Sequence, residues 1–127
     1  MKPDISSRKD IKFIITHFYD KLLVDKMMIP FFEEIVAKNQ LEHHLETITD
    51  FWNDILFDTL TYQNNVMQKH VKINAFLKFK EVHFGIWVSY FFDTIDANFE
   101  GEKAHIMKSR ASSIATVMKL KMNVYKK

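Results

Sequence analysis

Residues 43–52 read HHLETITDFW, and the reading of this stretch decides the fold. His44, Leu45, Ile48, Phe51 and Trp52, followed by Ile55, recur at three- and four-residue steps, the spacing of one helical face. The pattern predicts a long helix from about Leu41 to Leu60. A histidine borders its apolar stripe, and taken alone it reads as a helix-edge residue rather than a ligand.

The same period extends in both directions. Upstream, Ile11, Ile14, Ile15, Phe18, Tyr19, Leu22 and Leu23 form the stripe of a first helix that Ser6 or Ser7 could cap. The segment 25–38, DKMMIPFFEEIVAK, is expected to form a turn and short helical pieces, because Pro30 prevents a continuous helix. Downstream, TYQNN at 61–65 reads as a turn by its Asn pair. VMQKHVKIN at 66–74 is an irregular segment with room for one helical turn, and it carries His70. A third long helix is predicted from about Phe79 to Asn98, with Phe84, Trp87, Phe91 and Ile95 on one face. Gly101 breaks it, and Met107, Ala111, Ile114, Met118, Met122 and Tyr125 mark the last helix. The class is all-α, and residues 1–127 read as one domain without repeat or linker.

Composition narrows the functions. The net charge of +2, from 18 basic and 16 acidic residues, does not steer the chain toward nucleic acid or membrane. The absence of cysteine excludes disulfides and thiolate metal sites. The first ten residues lack the apolar core of a signal peptide, and no apolar run approaches a bilayer span, so a cytoplasmic protein is expected. No glycine-rich phosphate loop or nucleophile elbow is present. The last 27 residues, from Gly101, hold seven Lys or Arg and one Glu, which reads as a solvated face. The 12 phenylalanines fit either a ring-rich core or an apolar pocket.

Tyr19, His44, His70 and Trp87 each have an ordinary structural reading. Together they match what a flat apolar cofactor between helices requires: one imidazole for iron, hydrogen-bond donors opposite it, and an aromatic cage. A non-haem metal site is the competitor. Di-iron bundles need two Glu-x-x-His pairs, and this chain has one, Glu102 with His105. His43 and His44 project about 100° apart on a helix and converge poorly on one ion. A non-haem histidine metalloprotein and a cofactor-free interaction module remain alternatives.

Four blocks in order, HFYDKLLVDKMMIPFFEE (17–34), HHLETITDFW (43–52), MQKHVKI (67–73) and FGIWVSYFFDTI (84–95), resemble the truncated haemoglobins, group III in particular. The glycine pairs of groups I and II are missing, as they are in group III, and INAFLKF (73–79) lacks the prolines of some relatives. The resemblance implies a globin-like, two-over-two helical sandwich around haem b (iron protoporphyrin IX). The helices ending near Val24 and Leu60 would form one layer, and those starting at Phe79 and Glu102 the other. It further implies that His70 is the proximal ligand of a five-coordinate ferrous iron, with Tyr19, His44 and Trp87 as distal ligand-binding residues. Phe18, Phe32, Ile48, Phe51, Lys69 and Phe84 would surround the haem. The implied ligands are dioxygen, carbon monoxide and nitric oxide, with an unidentified reductase as partner and a monomeric state. The polar trio suits nitric oxide dioxygenase-like or peroxidase-like chemistry better than oxygen delivery.

Overall fold

The computed structural model describes residues 2–57 and 81–126, without the side chains of Glu34, Glu81 and 121–126. Helix α1 spans Arg8–Leu22, α2 Glu33–Ala37, α3 Leu41–Phe57, α4 Glu81–Asn98 and α5 Glu102–Lys126, with a 3-10 turn at Ile29–Phe31. No strand occurs among the described residues. The expected TYQNN turn, the segment around His70, and the predicted helix ends at 58–60 and 79–80 lie outside them.

The stripe of α1 is buried as its spacing predicts: Ile11, Ile14, Ile15, Phe18, Tyr19 and Leu22 all face inward. Ser7 occupies the N-cap position but makes no side-chain cap bond. Instead the Asp10 carboxylate accepts from both the backbone N–H and the hydroxyl of Ser6. Pro30 enters the first turn of the 3-10 segment, where a missing N–H costs nothing. Asn39, at φ 57°, reverses the chain between α2 and α3, a conformation asparagine tolerates.

Helix α3 departs from its single expected stripe. Leu45, Thr49, Trp52 and Leu56 are buried, whereas His44, Ile48, Phe51 and Ile55 are half-buried along a neighbouring face. The predicted stripe is therefore two adjoining faces. Thr49 reaches the interior because its hydroxyl donates to the Leu45 carbonyl at 2.7 Å. Thr94 does the same with the Tyr90 carbonyl at 2.8 Å, so both buried hydroxyls are satisfied.

The packing is two over two. Helix α1 lies against α3, α4 lies against α5, and the pairs meet through α1 on α4 and α3 on α5. On the outer side of the first pair, Arg8 bridges Asp50 at 2.7 Å and Glu46 at 3.1 Å, and Lys12 bridges Glu42 at 2.7 Å. These pairs are partly exposed, so the apolar interface rather than the charges holds the helices together. Asp25 accepts from Tyr90 Oη at 2.5 Å and from the Met27 N–H at 2.8 Å, which fastens the turn after α1 to α4.

The start of α5 is fixed from the far end of the chain. Asp4 accepts the N–H groups of Lys103 and Ala104, each at 2.9 Å, and so caps a helix that begins almost a hundred residues later. Gly101 adopts φ +134°, and a Cβ there would approach the Asp4 side chain to 2.6 Å, so glycine is required on both counts. Lys103 Nζ in turn donates to the Leu56 carbonyl at 2.7 Å, tying α5 to the end of α3. Burial opposes ionisation of Asp4. The N–H groups of Lys103, Ala104 and Ile5 and the Lys103 charge outweigh it and hold the carboxyl below its ordinary 3.8.

Asp4→Ala is expected to lower the unfolding free energy by about 1 kcal/mol, the usual effect of a lost N-cap. A depressed folded pKa means the contribution is complete above the unfolded pKa and fades as pH falls through the lowered value. Urea titrations at about pH 7 and about pH 3 should therefore show a smaller gap between wild type and variant at the acid end. An undiminished gap would refute the charged cap.

Candidate functional site

The helices enclose one continuous aromatic interior. Helix α1 contributes Ile15, Phe18 and Tyr19, and the 3-10 turn delivers Phe32. Ile48, Phe51 and Trp52 come from α3, Phe84, Trp87 and Phe91 from α4, and Ile114, Ala115 and Met118 from α5. The pocket between them has about 650 Å³ of empty space, its mouth included. This space is a slot between the side chains that line it.

Rings set the walls. Phe18 packs edge-on against Tyr19, Trp87 and Phe91, with centroids 5.5, 5.7 and 4.9 Å away. Phe91, fully buried, stacks on Trp87 at 5.6 Å and on Trp52 at 5.4 Å. Tyr19 meets Phe32 edge-on at 5.5 Å. Such geometries let ring edges face ring faces, which favours a defined arrangement beyond simple area burial.

The lining carries a phenol, that of Tyr19. Tyr19 Oη lies 2.7 Å from His44 Nε2, and the two rings are tilted by 68°. Tyr19 is only 6% exposed, and burial pushes its phenol pKa well up, so it stays neutral and keeps its proton. The direction of the bond depends on the His44 tautomer. With the proton on Nδ1, Nε2 accepts from Tyr19. With the proton on Nε2, Tyr19 Oη accepts and its own O–H can point elsewhere. Trp87 is half-buried and lines the same slot, and its indole N–H makes no hydrogen bond to the described protein.

The structure brings together Phe18, Tyr19, Phe32, Ile48, Phe51, Phe84 and Trp87 around this slot, with His44 bonded to Tyr19 at its edge. His70 and Lys69 lie outside the described residues. Trp52, Phe91, Ile114, Ala115 and Met118 also line it, although sequence reading assigned them no site role. Trp52 and Phe91 carried a signal, as rings on helical stripes, but packing alone explained them. Nothing in the spacing of α5 indicated which of its residues would close the slot. Among the described residues, no three His, Asp or Glu converge as a metal site. No helix among them is long and apolar enough to cross a membrane.

The fold is that of a truncated haemoglobin. The crystal structure of group III truncated haemoglobin from Campylobacter jejuni matches with a TM-score of 0.84 at 22% identity, covering 96% of this chain and 95% of that one. In sequence the chain is similar to a protein of the group III type. It is 25% identical over 118 residues to the group 3 truncated haemoglobin ctb of Campylobacter jejuni subsp. jejuni serotype O:2, across 91% of both proteins. No family model matches the sequence.

Phe91→Ala should lose about 3–5 kcal/mol of stability, the range for a fully buried ring. Phe51→Ala, on the half-buried pocket face, should lose clearly less. Equal losses in guanidinium titrations would contradict the difference in burial between the two rings.

Proposed function

We propose that this chain is a globin-type haem protein that binds small gaseous ligands. The observation that carries the reading is the hydrogen-bonded Tyr19–His44 pair, at 2.7 Å, whose phenol lines a slot otherwise walled by rings and aliphatic groups. A flat, apolar group with one reactive centre fits such a lining. The Trp87 indole N–H, without a partner among the described residues, adds a second donor to the same space. The relationship to group 3 truncated haemoglobin supports the same reading.

Haem b, when bound, supplies an iron that takes a diatomic gas such as dioxygen, carbon monoxide or nitric oxide. His70 would hold that iron through a neutral imidazole nitrogen, and Lys69 stands beside it in sequence as a neighbour for the acidic edge. Phe18, Phe32, Ile48, Phe51 and Phe84 exclude water and keep the local dielectric low, which strengthens each hydrogen bond inside.

Tyr19 has a single proton to give. His44 competes for it when Nε2 is the acceptor, and releases it to the pocket when Nε2 carries a hydrogen. Trp87 has only a donor, so its N–H can face nothing but an acceptor. Each such bond to a charged acceptor contributes on the order of 1.5–3 kcal/mol, or about one to two decades in dissociation rate. Two donors therefore hold a polarised ligand tightly. That favours reaction in place over delivery: nitric oxide dioxygenase-like or peroxidase-like turnover, in a cytoplasmic monomer served by a separate reductase.

Tyr19→Phe should speed dioxygen release about tenfold to a hundredfold. Trp87→Phe should act in the same direction, and His44→Leu, which removes the competitor for the Tyr19 proton, should slow release. Stopped-flow dissociation rates decide this, and release that is unchanged in Tyr19→Phe would sink the donor role. His70→Ala should alter the iron-ligand absorption bands of the hemin-loaded protein. An unaltered spectrum would remove His70 as the ligand.

A further inference from the structure

Trp87, Phe91 and Trp52 form a run of stacked rings. Trp87 lies nearly parallel to Phe91, tilted by 6° with centroids 5.6 Å apart, and Phe91 stacks on Trp52 at 30° and 5.4 Å. Phe91 and Trp52 are buried, while Trp87 is half-buried. Indole gives up an electron more readily than a phenyl ring, so an electron drawn from this run leaves a hole on a tryptophan. The Trp87 N–H makes no hydrogen bond among the described residues, so none of them takes its proton and pins the hole there.

Tyr90 stands beside this run. It follows Trp87 by three residues on α4, a spacing that makes side chains neighbours on a helix surface. Its hydroxyl donates to the Asp25 carboxylate at 2.5 Å, and both residues are half-buried. The Tyr90 hydroxyl, with the N–H groups of Met27 and Met28, holds the Asp25 carboxyl below its ordinary 3.8 although burial opposes this. The bond to Asp25, then burial, hold the Tyr90 phenol above its ordinary 10.0. At rest the pair is a neutral phenol against a carboxylate. Fastening the turn after α1 to α4 needs only an acceptor, and an amide oxygen would serve. A carboxylate adds a base in contact with the phenolic proton. A phenol that loses an electron becomes a strong acid, so a base at that place eases the loss.

We propose that Tyr90 and Asp25 form an electron-donating site: when Trp87 is oxidised by one electron, Tyr90 refills it and passes its proton to Asp25. Trp87 regains its electron, Tyr90 becomes a neutral phenoxyl and Asp25 a carboxylic acid, so charge and atoms balance. The oxidising equivalent thereby leaves the slot for a half-buried residue outside its lining. In the proposed haem protein hydrogen peroxide is the primary oxidant, and only that source rests on the haem reading. Tyr19 is the competing donor, since His44 can take its proton. That acceptor depends on the tautomer, whereas the Asp25 carboxylate always accepts.

The test uses the full chain without haem, so its outcome is separate from hemin uptake. The oxidant is azide radical made by pulse radiolysis, which takes one electron from tryptophan, and Trp87 is the more exposed of the two. In the wild type the indole-radical absorption should decay as phenoxyl absorption grows, at a rate independent of protein concentration. Tyr90→Phe should lose that growth. Asp25→Asn keeps a hydrogen-bond acceptor and should slow the growth about a hundredfold, the lower end of what a positioned base contributes. Asp25→Glu, which keeps the base, should restore it. A wild type without phenoxyl growth would overturn the proposal. So would growth at the wild-type rate in Tyr90→Phe, where Tyr19, Tyr62 and Tyr125 remain. An unchanged rate in Asp25→Asn would overturn the part given to Asp25.

Discussion

A buried phenol must find a partner, and Tyr19 finds His44. Leaving such a hydroxyl unpaired in an apolar interior costs about 1–3 kcal/mol. The 2.7 Å bond to His44 meets that need and joins α1 to α3. The rest of the site is built around this joint. Beside Tyr19, its chain neighbour Phe18 meets Trp87 and Phe91 of α4. Phe32 closes against the Tyr19 ring from the 3-10 turn that Pro30 starts. A hydrogen bond that satisfies a buried phenol thus also ties a polar pair to the slot.

The pair is not inert once placed. Tyr19 offers one proton, and the His44 tautomer decides which way it faces. In the proposed haem protein the same contact would serve two states. It would satisfy a buried donor when the slot holds no acceptor, and redirect that donor when an acceptor arrives. Trp87 would have no such alternative, since its N–H makes no hydrogen bond among the described residues.

Much of this was legible in the residues. The α1 stripe was read correctly from Ile11 to Leu22, whose apolar positions face the same interior, whereas Leu23 falls just past the helix end and is half-buried. The α3 stripe was read as one face and proved to be two, since apolar spacing cannot separate a residue that packs on a helix from one that lines a slot. Thr49 escaped notice because a hydroxyl counts as polar until its bond to the preceding turn is known. The clamp of Asp4 on Lys103 and Ala104 was invisible, because it joins residues far apart in sequence. The roles of Tyr19, His44 and Trp87 came from resemblance to a family rather than from spacing. The structure places Tyr19 and Trp87 on one slot, with His44 bonded to Tyr19.

Both tryptophans of the chain line that slot, which gives it a built-in reporter. Titrating purified protein with hemin while following absorbance and tryptophan emission tests the central claim most directly. The account predicts saturation at about one hemin per chain, with both emissions quenched together as the group enters the slot that Trp52 and Trp87 line. Hemin that fails to saturate, or binds without dimming the tryptophans, would place any haem outside this slot and contradict the account.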